Sequence, residues 1–137
     1  MLFRDQIISW QGEERTFAPD FRFLRALDGK LQSDPERKTN LPQVALTVNN
    51  GGAHYMDIPV VWAAFLQKAG FDGATENDCW GQLALITSGE ATDSARADYA
   101  SFAAALFHSL YPSADLGKLT APQKQPPKRS ARKPRQK

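Results

Sequence analysis

The sequence predicts an α+β protein, mostly helical, with an N-terminal β-hairpin, four to five short helices and a disordered basic C-terminal tail. Three observations predict it. The first ten residues are rich in β-prone side chains, apolar residues recur at helical spacings from Phe21 to Leu110, and the composition changes abruptly at Lys118.

The hairpin comes first. Leu2 to Trp10 holds Phe3, Ile7, Ile8 and Trp10 in imperfect alternation, Gln11-Gly12 makes a short turn, and "EERTF" returns as a second strand ending at Phe17. Pro19-Asp20 then opens a helix with Phe21, Leu24, Leu27 and Leu31 as its apolar stripe. "QSDPERKTN" reads as a charged loop. The next segment, "LPQVALTVNN", fits two patterns. Leu41, Val44, Ala45 and Val48 suit a short helix capped by Asn40, whereas Val44, Leu46 and Val48 suit a strand; the helical reading is preferred. "NNGGAHYM" comes next as a loop, because Asn49, Asn50, Gly51 and Gly52 all tolerate positive φ.

The most informative stretch is "DIPVVWAAFLQKAGF", residues 57–71. Asp57 is the expected N-cap, Pro59 is tolerated in the first turn, and Gly70 is the stop. Between them only Gln67 and Lys68 are strongly polar. A surface helix normally keeps a polar face of about half its circumference. A helix apolar almost all round is either a core helix wrapped by the rest of the chain or a groove for a partner helix, and both can hold at once. The residues expected to meet a partner are Trp62, Phe65, Leu66, Phe71 and Trp80.

Beyond it, "FDGA" turns and Thr75 with Asp78 forms a capping box, starting a helix that carries Trp80, Leu83, Ala84 and Ile86 to about Ser88. "SGEATD" breaks the chain again. Asp93 to Leu110 is the longest predicted helix, with a stripe of Tyr99, Phe102, Ala103, Leu106, Phe107 and Leu110, ended by Pro112. No internal repeat is visible.

Length and composition set the frame for these elements. With 137 residues, 42% hydrophobic and 23% charged, the chain has the profile of one globular domain. Somewhat over 60% of the unfolded surface is buried at this size, enough to enclose one helix completely. The longest apolar run, Ile58 to Leu66, is far short of the roughly 20 residues that cross a bilayer, so no membrane insertion is expected. Arg4 and Asp5 interrupt what would have to be a signal-peptide h-region. The single cysteine, Cys79, has no intramolecular disulfide partner. These features point to a reducing, cytoplasmic setting.

Charge is divided unevenly. Residues 118–137 carry eight of the 17 basic side chains and no acidic one, whereas residues 1–117 carry the other nine against all 15 acidic ones, a net of −6. The predicted organisation is therefore a compact acidic domain, 1–117, followed by a Lys/Arg/Pro-rich tail, 118–137. Lys128, Arg129, Arg132, Lys133 and Arg135 are its densest electrostatic cluster. The tail could neutralise nucleic-acid phosphates. It lacks the aromatic residues that stack on bases, however, and the acidic body opposes close approach to DNA. A tail that solvates, or contacts an acidic partner or this body, is the preferred reading.

The inventory for catalysis is thin. His54 and His108 have no spacing that suggests a metal site, and Cys79 has no CxxC partner. His54, Asp57 and one of Ser33, Ser88 or Ser109 can be assembled into a triad only on paper. "NNGGAH" lacks the GxxxxGK[ST] pattern of a phosphate loop. The expectation is a protein without catalytic residues, metal or cofactor.

Taken in order, "IISWQGEERTFAPDFRFLRALDGKL", "LPQVALTV", "MDIPVVWAAFLQKAGF" and the capped helix after them resemble the tail assembly chaperones of long-tailed bacteriophages and gene transfer agents. The likeness runs over about residues 3–90. It implies a non-enzymatic role in the cytoplasm of the infected host. Members bind the tape measure protein, keep this long helical client soluble while tail tube protein subunits are recruited, and are absent from the finished virion. Often a frameshift late in the gene gives a longer second product. The Asp93–Leu110 helix and the tail go beyond the pattern. The rival expectation is a small phage-encoded regulator that binds a host protein or nucleic acid, for example in host takeover or superinfection exclusion.

Overall fold

In the computed structural model, which describes residues 5–111, a two-stranded antiparallel hairpin precedes five α-helices. The strands are β1 (Gln6–Trp10) and β2 (Glu13–Phe17), paired Gln6 with Phe17, Ile8 with Arg15 and Trp10 with Glu13. Gln11 and Gly12 both have positive φ, 51° and 90°, the geometry of the two-residue turn that matches strand twist. The helices are α1 (Phe21–Gln32), α2 (Leu41–Asn50), α3 (Ile58–Lys68), α4 (Glu76–Ser88) and α5 (Asp93–Leu110).

Side chains set most helix starts as expected. Asp20, Asn40 and Thr92 each accept from the backbone N–H three residues on, at Phe23, Gln43 and Ala95. At α4 the box is complete: Thr75 Oγ1 accepts from Asp78 N, and Asp78 Oδ2 accepts from Thr75 N, both at 3.1 Å. The ambiguous segment is helix throughout, because Asn40 caps it and Pro42 sits in its first turn, where a missing N–H costs nothing. Helix α3 ends at Gly70 with φ 98°, where Phe71 N donates to Leu66 O across the left-handed residue.

Four details depart from expectation. Asp57 does not cap α3; it carries no side-chain cap bond, and Arg37 takes its carboxylate instead. The loop after α2 is shorter than predicted, since α2 runs to Asn50 and Tyr55–Asp57 forms a 3₁₀ turn. Phe21 is 62% exposed rather than part of the α1 stripe, which starts at Leu24. On α4 the buried pair is Cys79 and Leu83, while Trp80 and Ala84 face outward.

The core is built around α3. Trp62 stacks on Phe102 of α5 at 5.6 Å, with Trp10 of β1 and Tyr99 of α5 meeting it edge-on. One turn on, Phe65 meets Phe17, Phe23 and Phe102 in the same edge-on manner. Hairpin, α1 and α5 thus all deliver rings onto one helix, while α4 packs along its side. The hairpin is pinned to α5 by polar bonds as well. Ser9 Oγ and Gln11 N both donate to the buried Asp98 carboxylate at 3.0 Å, and Ser9 N donates to Ser101 Oγ. No helix among the described residues is long and apolar enough to cross a membrane. The tail, 118–137, lies outside the described residues.

Candidate partner-binding surface

Burial separates the five residues expected to meet a partner. Trp62, Phe65 and Leu66 are 0% exposed. The partner role expected for them is corrected: the hairpin, α1 and α5 enclose these side chains, and in the folded chain they belong to the core. Phe71 is buried too, beneath the Arg15 guanidinium 4.3 Å above its ring, and Arg15 Nη1 donates to the Gly70 carbonyl beside it. Only Trp80, 38% exposed, remains at the surface. Lys128, Arg129, Arg132, Lys133 and Arg135 lie outside the described residues.

Trp80 faces outward because the Thr75 cap sets the helical phase. With α4 starting at Glu76, Cys79 and Leu83 lie one turn apart against the core, and Trp80 is rotated about 100° to their side. Its ring meets Tyr55 edge-on at 5.7 Å. Together with Met56, Pro59, Val60, Glu76 and Asn77, Trp80 lines an open groove of about 220 Å³ between the 3₁₀ turn, α3 and α4.

Two anchors fix the turn that supplies Met56. On one side the Tyr55 hydroxyl bonds Thr87 Oγ1 on α4. On the other, Asp57 accepts from Arg37 Nε at 3.2 Å and Nη2 at 2.8 Å, with His54 Nδ1 3.8 Å away. This bidentate pair also holds the Arg37 pKa above its ordinary value, first through the hydrogen bond and then through charge. Held at both neighbours, Met56 projects into solvent, 59% exposed. An unbranched thioether beside an indole adapts its shape to different apolar partners. Glu76 gives the groove an acidic rim, steadied by Lys30 at 3.5 Å.

The sequence pattern puts Tyr55 and Met56 in a loop and assigns them no role. The signal available was their adjacency to "DIPVV", which makes any ordered turn there a neighbour of α3. The residues raised for a hydrolytic triad are not assembled. Ser33, Ser88 and Ser109 each donate to a carbonyl of their own helix, at Lys30, Leu85 and Ala105. Cys79 lies buried, its thiol pKa pushed up to about 12 chiefly by burial and secondarily by Asp78 and Glu76. Among the described residues no group of three or more His, Cys, Asp and Glu is placed to hold a metal ion. No family model, no curated protein and no solved structure matches the chain.

Proposed function

We propose that the protein is a non-enzymatic tail assembly chaperone, acting in the cytoplasm of the infected bacterium. Its client is the tape measure protein, and it helps recruit tail tube subunits without entering the virion. The observation that carries this reading is the groove of Met56, Pro59, Val60 and Trp80. It is a surface of mixed character held in place by a packed core, with Met56 and Trp80 exposed beside Asn77 and the Glu76–Lys30 ion pair. Such a groove suits one face of an amphipathic helix, with apolar residues one turn apart against Trp80 and Met56. A long helical client offers many repeats of that pattern. The net charge of −6 over residues 1–117 keeps the resulting complexes apart from one another.

The test is co-expression of the full chain with the product of the longest neighbouring reading frame. The native chain should hold that product in solution, in a complex that survives moderate salt. Trp80→Asp or Met56→Asp should weaken the complex about 30-fold or more, the effect of losing one interface anchor. Met56 is mostly exposed, so Met56→Asp should fold normally; Trp80 packs on Tyr55, so a circular-dichroism melt of Trp80→Asp accompanies its binding test. Undiminished binding by both variants would remove this surface from the reading. A client that stays insoluble, together with nucleic-acid binding that persists at physiological salt, would favour the regulator instead.

A further inference from the structure

The hairpin has one covered edge and one open edge. Its two-residue turn makes Trp10 and Glu13 the closing hydrogen-bonded pair. Alternation along the antiparallel ladder then leaves Ser9 with Glu14, and Ile7 with Thr16, as pairs whose backbone groups point away from each other. On β1 that outward direction is occupied. Ser9 N donates to Ser101 Oγ at 3.0 Å, and the strand lies along α5. On β2 the outward N–H and C=O of Glu14 and Thr16 have no hydrogen-bond partner among the described residues, and both residues are exposed. The strand meets the body through its inward face, where Phe17 contacts Phe65 and Arg15 holds the Gly70 carbonyl. An open edge of this kind accepts a further strand, main chain to main chain.

Side chains select which strand can enter. Ile8, Trp10 and Phe17 take the core face, so Ile7, Glu14 and Thr16 stand on the outer one. Ile7 is 59% exposed, directly across the ladder from Thr16. Glu14 makes no ion pair among the described residues. An antiparallel newcomer therefore meets an apolar, β-branched position first and an unpaired carboxylate two residues later. A second copy of β2 fits poorly. The antiparallel register that pairs all five residues sets Arg15 opposite Arg15, and the register centred one residue earlier sets Glu14 opposite Glu14.

We propose that the free edge of β2 binds an extended basic segment of another protein by strand addition. The segment runs antiparallel to β2, with Val, Ile or Thr opposite Thr16 and Lys or Arg opposite Glu14. The net charge of −6 over residues 1–117 draws such a segment in and repels acidic ones. This edge takes an extended partner, where the Met56–Trp80 groove suits a helical one, and it stands whether or not that groove binds a client.

Amide exchange, read by NMR on the full-length chain, tests the edge. The probe is a blocked synthetic peptide of threonines in which valine and lysine lie two positions apart. Bound peptide should slow exchange at Glu14 and Thr16 about tenfold. Thr16→Pro removes one outward N–H and no bond of the hairpin ladder, and should weaken the peptide about tenfold. Glu14→Lys changes only an exposed side chain, and should weaken it about fivefold. A peptide N-methylated at its valine and lysine should not bind, whereas Trp80→Asp should bind the unmethylated peptide as the native chain does. Equal binding of the methylated peptide would overturn the proposal, as would binding that leaves exchange at Glu14 and Thr16 unchanged. So would amides at these two residues that are already protected without peptide. Protection that rises with protein concentration would assign the edge to a second copy, and protection independent of it to the rest of this chain.

Discussion

Trp62 is where the largest single-residue effect is expected. Its ring is fully enclosed and touches three other aromatic rings, and its Nε1–H has no hydrogen-bond partner among the described residues. Replacing it by alanine removes the stacked pair with Phe102 and leaves a cavity that the rings of β1 and α5 cannot fill. Trp62→Ala should therefore cost about 3–5 kcal/mol in chemical denaturation. Trp62→Phe should cost much less, since it keeps an aromatic surface and abolishes the unpaired donor. A variant Trp62→Ala that unfolds at the native denaturant midpoint would show that the ring is not the centre of this core. At this scale the sequence was only partly readable. Trp62, Phe65 and Trp80 all carry the composition of interface anchors. Whether such a residue turns inward or outward is decided by the rings other elements bring to it, and those contacts are separated by tens of residues.

Elements were more legible than residues, because their boundaries depend on neighbours in sequence. The hairpin turn, the Asn40 cap and the Thr75–Asp78 box all depend on groups no more than three positions apart. Asp57 shows the opposite case. It has the right residue type at the right position to cap α3, yet Arg37, twenty residues earlier, offers a bidentate pair that a lone N–H cannot match. Asp98 is a further long-range case, invisible from its own helix, since its partners are on β1 and the hairpin turn. Asp98→Ala should leave two donors at the hairpin without their acceptor and cost about 1–3 kcal/mol. Because the loss falls on one junction, amide exchange should rise first in residues 6–17, ahead of α3. Uniform acceleration across the chain would mean that Asp98 supports the whole core rather than the docking of the hairpin.

For the whole molecule, the question is how an acidic domain and a basic segment divide the work. Every element of the described core, from Ile8 to Leu106, lies before residue 118, and its aromatic contacts close among themselves. The basic segment holds no aromatic residue and only Leu119 as a large aliphatic one, so it has little apolar surface to contribute to folding. Deleting residues 118–137 should leave the melting temperature nearly unchanged. It should raise the magnitude of the net charge, from +2 to −6, and with it the solubility of the free domain. Function separates the two parts by their response to salt. Under the proposed function, client binding through Met56 and Trp80 would rest on apolar burial, which screening barely weakens. Any binding of nucleic acid by the eight basic residues would fall with a log–log slope of about 0.9 per phosphate contacted, up to roughly seven. A truncated chain that still solubilises its client in moderate salt would place the chaperone activity in residues 1–117. Loss of client binding on truncation, rescued at low salt by the restored tail, would instead move the main contact to the basic segment.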